Sequence, residues 1–151
     1  MKLTDILNED CTLCAVQATS KKRILEILSS KAAEMSDDLN TYTLLESLIQ
    51  REKMGSTGIG NGIAIPHGKL TSTDKALVVV ATTEEAIDFD AIDNRPVDIF
   101  IALFVPEDQC QAHLTTLQSI AKIFSNKQIC KQARRCDSSK ALYQLIKTAE
   151  C

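Results

Sequence analysis

Val97-Asp-Ile-Phe-Ile-Ala-Leu-Phe-Val-Pro106 carries the strongest structural signal in the chain. Its run from Ile99 to Val105 is the longest apolar run in the chain, and it reads as a strand buried on both faces that Pro106 ends. Ala76 to Thr82, almost all Leu, Val and Ala, reads the same way. Ile63-Ala-Ile65 gives a short strand closed by Pro66, and Cys11 to Gln17 gives another near the N-terminus, after a short piece from Leu3 to Leu7. Helical stripes lie between and after these strands. Ser20 to Met35 places Ile24, Leu25, Ile27, Leu28, Ala32 and Met35 on one face. Thr43-Leu-Leu-Glu46 has capping-box spacing and predicts a second helix reaching about Met54. Gln109 to Phe124 is predicted as a long helix with Leu114, Leu117, Ile120, Ala121 and Phe124 inward, and Lys127 to Arg135 and Ser138 to Ala149 as two more. Strands interleaved with helices predict an α/β fold. It is a single-domain sandwich over residues 1–151, with a central mixed, mostly parallel sheet flanked by helices.

The chain has 151 residues, a formal charge of −3 and 44% apolar residues. That is enough chain for one real core. An acidic balance argues against a nucleic-acid partner, which needs a basic face. The longest apolar run is far short of the ~20 residues that span a bilayer. Met-Lys-Leu-Thr-Asp5 lacks a signal-peptide core, so a soluble, cytoplasmic protein is expected. The six cysteines then read as reduced thiols. Cys11-Thr-Leu-Cys14 has C-x-x-C spacing, but in an extended segment positions three apart point to opposite faces. Without a second such pair to complete a zinc site, it reads as small-residue packing.

The chemistry concentrates elsewhere. All five glycines fall between Gly55 and Gly68, beside His67, one of only two histidines. Glycine serves where backbone takes positive φ or approaches another group closely, so this is a shaped loop presenting an imidazole. His113 lies near the start of the helix that follows the strongest strand. In open α/β sheets ligands collect beyond the carboxyl ends of the strands, which puts both histidines on one rim. Arg51 sits in the last turn of the second helix, where its guanidinium can reach the loop. Glu52 falls near the middle of the apolar stripe and needs a partner, with Arg51 or a loop amide able to serve.

Familiar motifs fail. Gly62 to Lys69 has the wrong glycine spacing for a P-loop and Leu70 where Ser or Thr is required. Gly55-Ser-Thr-Gly58 is not a nucleophile elbow. Two histidines without a carboxylate pair make a poor metal centre, and no metal or cofactor is expected. What remains is an imidazole among loop N–H groups including Gly58, the Ser56 and Thr57 hydroxyls, a second imidazole and an arginine. This set suits a phosphoryl group, whose transfer needs positioning and charge stabilisation. A neutral imidazole nitrogen attacks phosphorus well when the other nitrogen donates a hydrogen bond and fixes the tautomer.

At these residues the sequence resembles enzyme IIA domains of the phosphoenolpyruvate-dependent phosphotransferase system, mannitol/fructose class. The resemblance rests on Arg51-Glu52, Gly55 to Gly60, Gly62-Ile-Ala-Ile-Pro-His-Gly68, Phe89 to Asp98, Leu103-Phe-Val-Pro106 and His113-Leu-x-x-Leu117. Within the family it looks most like the free-standing nitrogen-regulatory branch. The resemblance implies a phosphorylated histidine at His67, through Nε2, with His113 and Arg51 as the other active-site residues. It implies an HPr-like phosphocarrier as donor and a signalling output through regulated target proteins. A sugar-specific IIA passing phosphate to a IIB protein is the alternative. The cysteines are outside the family pattern.

Overall fold

A computed structural model describes residues 3–71 and 75–150. Cys151, the last of the six cysteines, lies outside the described residues. The elements are β1 (Thr12–Val16), α1 (Lys21–Ala33), α2 (Thr41–Lys53), β2 (Gly58–Gly60), β3 (Ile63–Ala64), β4 (His67–Leu70), β5 (Leu77–Ile87), β6 (Val97–Pro106), α3 (Leu114–Phe124), α4 (Lys127–Arg135) and α5 (Ser139–Glu150).

β6 organises the sheet. It pairs antiparallel with β5 along one edge, from Leu77↔Phe104 to Thr82↔Ile99. Its other edge takes two short strands in succession, β3 at Ile99 and Phe100 and β4 from Leu103 to Pro106, both parallel. β1 adds parallel to β5, and β2 adds antiparallel to β3, which makes the six-stranded mixed sheet. Ile99, Phe100, Ile101, Ala102, Leu103 and Phe104 are all fully buried, as the unbroken apolar run requires of a strand covered on both faces. α1 packs on β5, α2 on β4, α4 on β6 and α5 on β1. Among the described residues no helix is long and apolar enough to cross a membrane.

Four details differ from the sequence reading. α2 begins at Thr41, because the Asn40 side chain, not that of Thr43, caps it by accepting the Thr43 N–H at 3.2 Å. The Gln109–Phe124 helix starts late: Glu107–Gln109 form a 3-10 turn and α3 opens only at Leu114, which is left 48% exposed instead of inward. The strand predicted to stop at Thr82 continues to Ile87. The glycine segment, expected to be loop apart from the Ile63–Ile65 strand, also contains β2 and leads into β4, neither of which the sequence announces.

Cys11 is buried at the end of a short 3-10 turn, and Cys14 is turned from it toward the C-terminal helices, its thiol donating to the Cys136 carbonyl at 2.8 Å. The Cys-x-x-Cys spacing therefore builds no shared site.

Candidate active site

Pro66 splits what would be one continuous strand along β6 into β3 and β4. Its carbonyl still accepts the Leu103 N–H at 2.9 Å, so the ladder to β6 survives, but the Ile65 carbonyl is free to face a side chain. His67, the first residue of β4, uses it: Nδ1 donates to the Ile65 oxygen at 2.9 Å. On the other side of the ring, Arg51 Nε donates to His67 Nε2 at 3.1 Å. A guanidinium can only donate, so Nε2 must hold a lone pair and the neutral ring carries its proton on Nδ1. Burial pushes the His67 pKa below the ordinary imidazole value. The Ile65 carbonyl opposes that shift, the Arg51 charge adds to it, and the Glu52 carboxylate opposes it. The unprotonated ring is the form that a nucleophile needs.

The depressed pKa has a sign that can be measured. The unfolded chain takes up a proton near pH 6.5, whereas the folded chain resists it until lower pH. This site's contribution to stability is thus present above about pH 6.5 and is lost as pH falls through the folded pKa. Urea titrations should show stability decreasing on acidification below that point, with a shallower slope in His67→Ala. An unchanged slope would place the titration elsewhere.

Arg51 is held for this task by the end of α2. Its Nη1 donates to the Gly55 carbonyl at 2.8 Å, which fixes the guanidinium against the chain that leaves the helix. α2 is tied to β4 directly, because Ser47 Oγ accepts the Lys69 N–H at 2.7 Å. Gly68 permits the approach: a Cβ there would sit 2.6 Å from Ser47 Oγ and 3.0 Å from its Cβ.

These residues open onto a cavity of about 590 Å³. Arg51, His67 and His113 all line it, joined by Lys53 and Lys69, and no carboxylate does. Its apolar wall includes Met54, Leu103, Val105, Leu114 and Leu117. His113 is only 4% exposed and precedes α3, with its Nδ1 3.1 Å from Thr116 Oγ1. An apolar bowl with convergent cations and a lone-pair nitrogen is built to receive an anionic group on a protein or small molecule.

The remaining residues singled out in the sequence stand behind this wall. Glu52 accepts from the Thr57 N–H at 3.1 Å and from the Thr57 hydroxyl, and pairs with Lys21 at 3.1 Å. Its partner is thus the loop amide, not Arg51. Ser56 Oγ donates to the Phe89 carbonyl at 2.7 Å and accepts the Gly58 N–H at 3.0 Å. The Ser56 hydroxyl is therefore committed to Phe89, the Thr57 hydroxyl to Glu52 and the Gly58 amide to Ser56, and none of the three residues lines the cavity. Lys69 was not singled out. Strand alternation places it on the same side as His67, a relation invisible until β4 is known to be a strand.

A family model described as "Phosphoenolpyruvate-dependent sugar phosphotransferase system, EIIA 2" matches residues 5–149. The chain belongs to this family. This EIIA-2 chain is 49% identical over 150 residues to a "Nitrogen regulatory protein" of Klebsiella oxytoca, covering 99% of this chain and 92% of that one. It is 28% identical over 142 residues to a "PTS system fructose-like EIIA component" of Escherichia coli, covering 94% and 96%. The crystal structure of the nitrogen regulatory protein IIA-Ntr from Neisseria meningitidis superposes with a TM-score of 0.87 at 34% identity, covering 94% of this chain and 97% of that one. The mannitol IIA of Escherichia coli shares the fold, with a TM-score of 0.77 at 17% identity and coverage of 93% and 98%. The mixed sheet flanked by helices is that of these neighbours, and a phosphotransferase-system IIA role follows from the family.

Proposed function

We propose that this EIIA-2 protein is a reversible phosphohistidine carrier that accepts a phosphoryl group on His67 Nε2 from an HPr-like phosphocarrier of the nitrogen type. The supporting observation is the pair of hydrogen bonds on one ring: Nδ1–H held by the Ile65 carbonyl and the Nε2 lone pair held by Arg51. In the transfer, the donor's P–N bond breaks as a P–N bond forms at Nε2, and Nδ1 keeps its proton. Arg51 then shifts its donor from the nitrogen to a phosphoryl oxygen, and His113 faces the same cavity to bind another. Lys53 and Lys69 add positive charge to that cavity, and the apolar wall seats the donor. Neither nucleotide nor metal has a part in these steps. Glu52, Ser56, Thr57 and Gly58 act indirectly, by holding the segment that positions Arg51 and His67.

Regulatory output, through target proteins that sense the phosphorylated form, is supported by the 49% identity to nitrogen regulatory proteins against 28% to the fructose-like component. The test is to load the chain from a phosphorylated HPr-type donor and add candidate IIB domains. Label stable to IIB supports regulation, whereas rapid loss assigns sugar uptake.

Arg51→Gln should slow loading about a hundredfold, the usual cost of removing one preorganised donor from developing charge. His113→Ala should slow it less, since Arg51 remains. Stopped-flow transfer from the donor reads both rates, and unaltered rates would remove these residues from the chemistry.

A further inference from the structure

From Gln109 to Cys136 the chain contains no acidic residue, yet it carries Lys122, Lys127, Lys131, Arg134 and Arg135. All twenty acids of a protein with net charge −3 lie outside this stretch. α4 concentrates these cations. Lys127, Lys131 and Arg135 recur every fourth residue along its exposed side, a row with steps of about 6 Å. Among the described residues no ion pair involves any of the three. Like charges at this spacing oppose helix formation, a cost to the isolated protein that only Arg135, in the last turn of α4, offsets through the helix dipole. Beside it lies a groove of about 480 Å³, to which Arg95 from the β5–β6 connection adds a further cation.

Arg134 has a different job. It is spent on Asp98, at 2.9 Å to both carboxylate oxygens, and on the Asn61 carbonyl at 2.8 Å. This pins α4 to the β2–β3 turn and holds the basic row at a fixed place. The row is separate from the His67 cavity, because α3 spans the gap from His113 to Phe124, about 16 Å of helix.

We propose that the α4 groove is a second docking surface, for an acidic protein segment whose carboxylates recur every fourth residue of a helix. Charge complementarity and the matching ~6 Å interval favour that occupant. A single-stranded nucleic acid fits less well: the groove offers no exposed aromatic ring for base stacking, its one phenyl group, Phe124, being 1% exposed. Two separate surfaces allow one partner to load the cavity while another stays bound at α4. The inference is independent of the phosphocarrier reading, since a chain that never accepted phosphate would still present this row.

The test uses the full chain and a fluorescein-labelled, glutamate-rich helical peptide with carboxylates at i, i+4. Anisotropy should show binding that weakens with salt, and amide shifts should map to α4 and Arg95. The K127Q/K131Q/R135Q variant should bind at least roughly tenfold more weakly. Its melting temperature should be unchanged or raised, and loading of His67 unaffected. The proposal is overturned by undiminished binding to that variant, by no binding at low salt, or by shifts centred on the His67 cavity. A single-stranded oligonucleotide that displaces the peptide at lower concentration would also overturn it, and would assign the surface to nucleic acid.

Discussion

His67→Ala is expected to leave a folded protein that acquires no acid-labile, alkali-stable phosphate from an HPr-type donor. The substitution removes the proposed nucleophile outright, so the rate should fall by at least about four orders of magnitude. His113 cannot replace it. That ring lies at the entrance to α3, is almost fully buried and has its Nδ1 engaged with Thr116, whereas only His67 has the Arg51 donor on one nitrogen and a backbone acceptor on the other. The fold should survive, because the His67 backbone, not its ring, makes the ladder to Leu103. Circular dichroism and phosphoryl transfer, measured on the same preparation, separate the two effects. Label retained by the variant would move the acceptor to another residue.

Phe100→Ala is expected to cost about 3–5 kcal/mol, the range for emptying an aromatic site in a core. Whole-domain stabilities are themselves only about 5–15 kcal/mol. Phe100 is fully buried, and its ring meets that of Phe89 edge-on, with centroids 5.3 Å apart and planes at 65°. The surroundings cannot close on the void. Backbone pairing to Ala81 on one side and Ala64 on the other fixes the strand at this residue. The loss should also reach the site, since the Phe89 carbonyl anchors Ser56 and the Phe89 ring supports Lys21, which pairs with Glu52. Urea unfolding measures the first effect and loading of His67 the second. A loss below about 1 kcal/mol, the size ordinary for exposed positions such as Ile92, would show that the core refills.

Elements whose identity is written in local pattern were legible. The continuous apolar runs marked β6 and the first half of β5, a 3.6-residue stripe marked α1, and α1, α4 and α5 fall within a residue or two of their predicted ranges. Elements that exist only because a neighbour offers hydrogen bonds were not. β2 and β4 are three and four residues long, each contains glycine, and both are strands only because β3 and β6 present open edges. The start of α3 was misplaced for a related reason: Gln109 to His113 continue the helical stripe, but the chain spends them turning off β6. At the site, unusual residues were conspicuous and their contacts were not. Arg51, His67 and His113 do share one cavity. The Ser56 and Thr57 hydroxyls look equally suited to an anion in sequence, yet they are already satisfied by Phe89 and Glu52. Sequence shows that a group can donate, and only the fold shows to what.

The seam of β4 on the inner strand has one more effect. With His67 paired to Leu103 and Pro66 bonded to the same residue, the platform under the imidazole has little freedom to tilt or slide. On the proposed function, a dianion placed on Nε2 re-aims the Arg51 guanidinium while this backbone ladder stays in place. A target that read such a state would sense the charge and bulk of the phosphoryl group itself on a fixed platform, and its discrimination between the two states should fade as ionic strength rises.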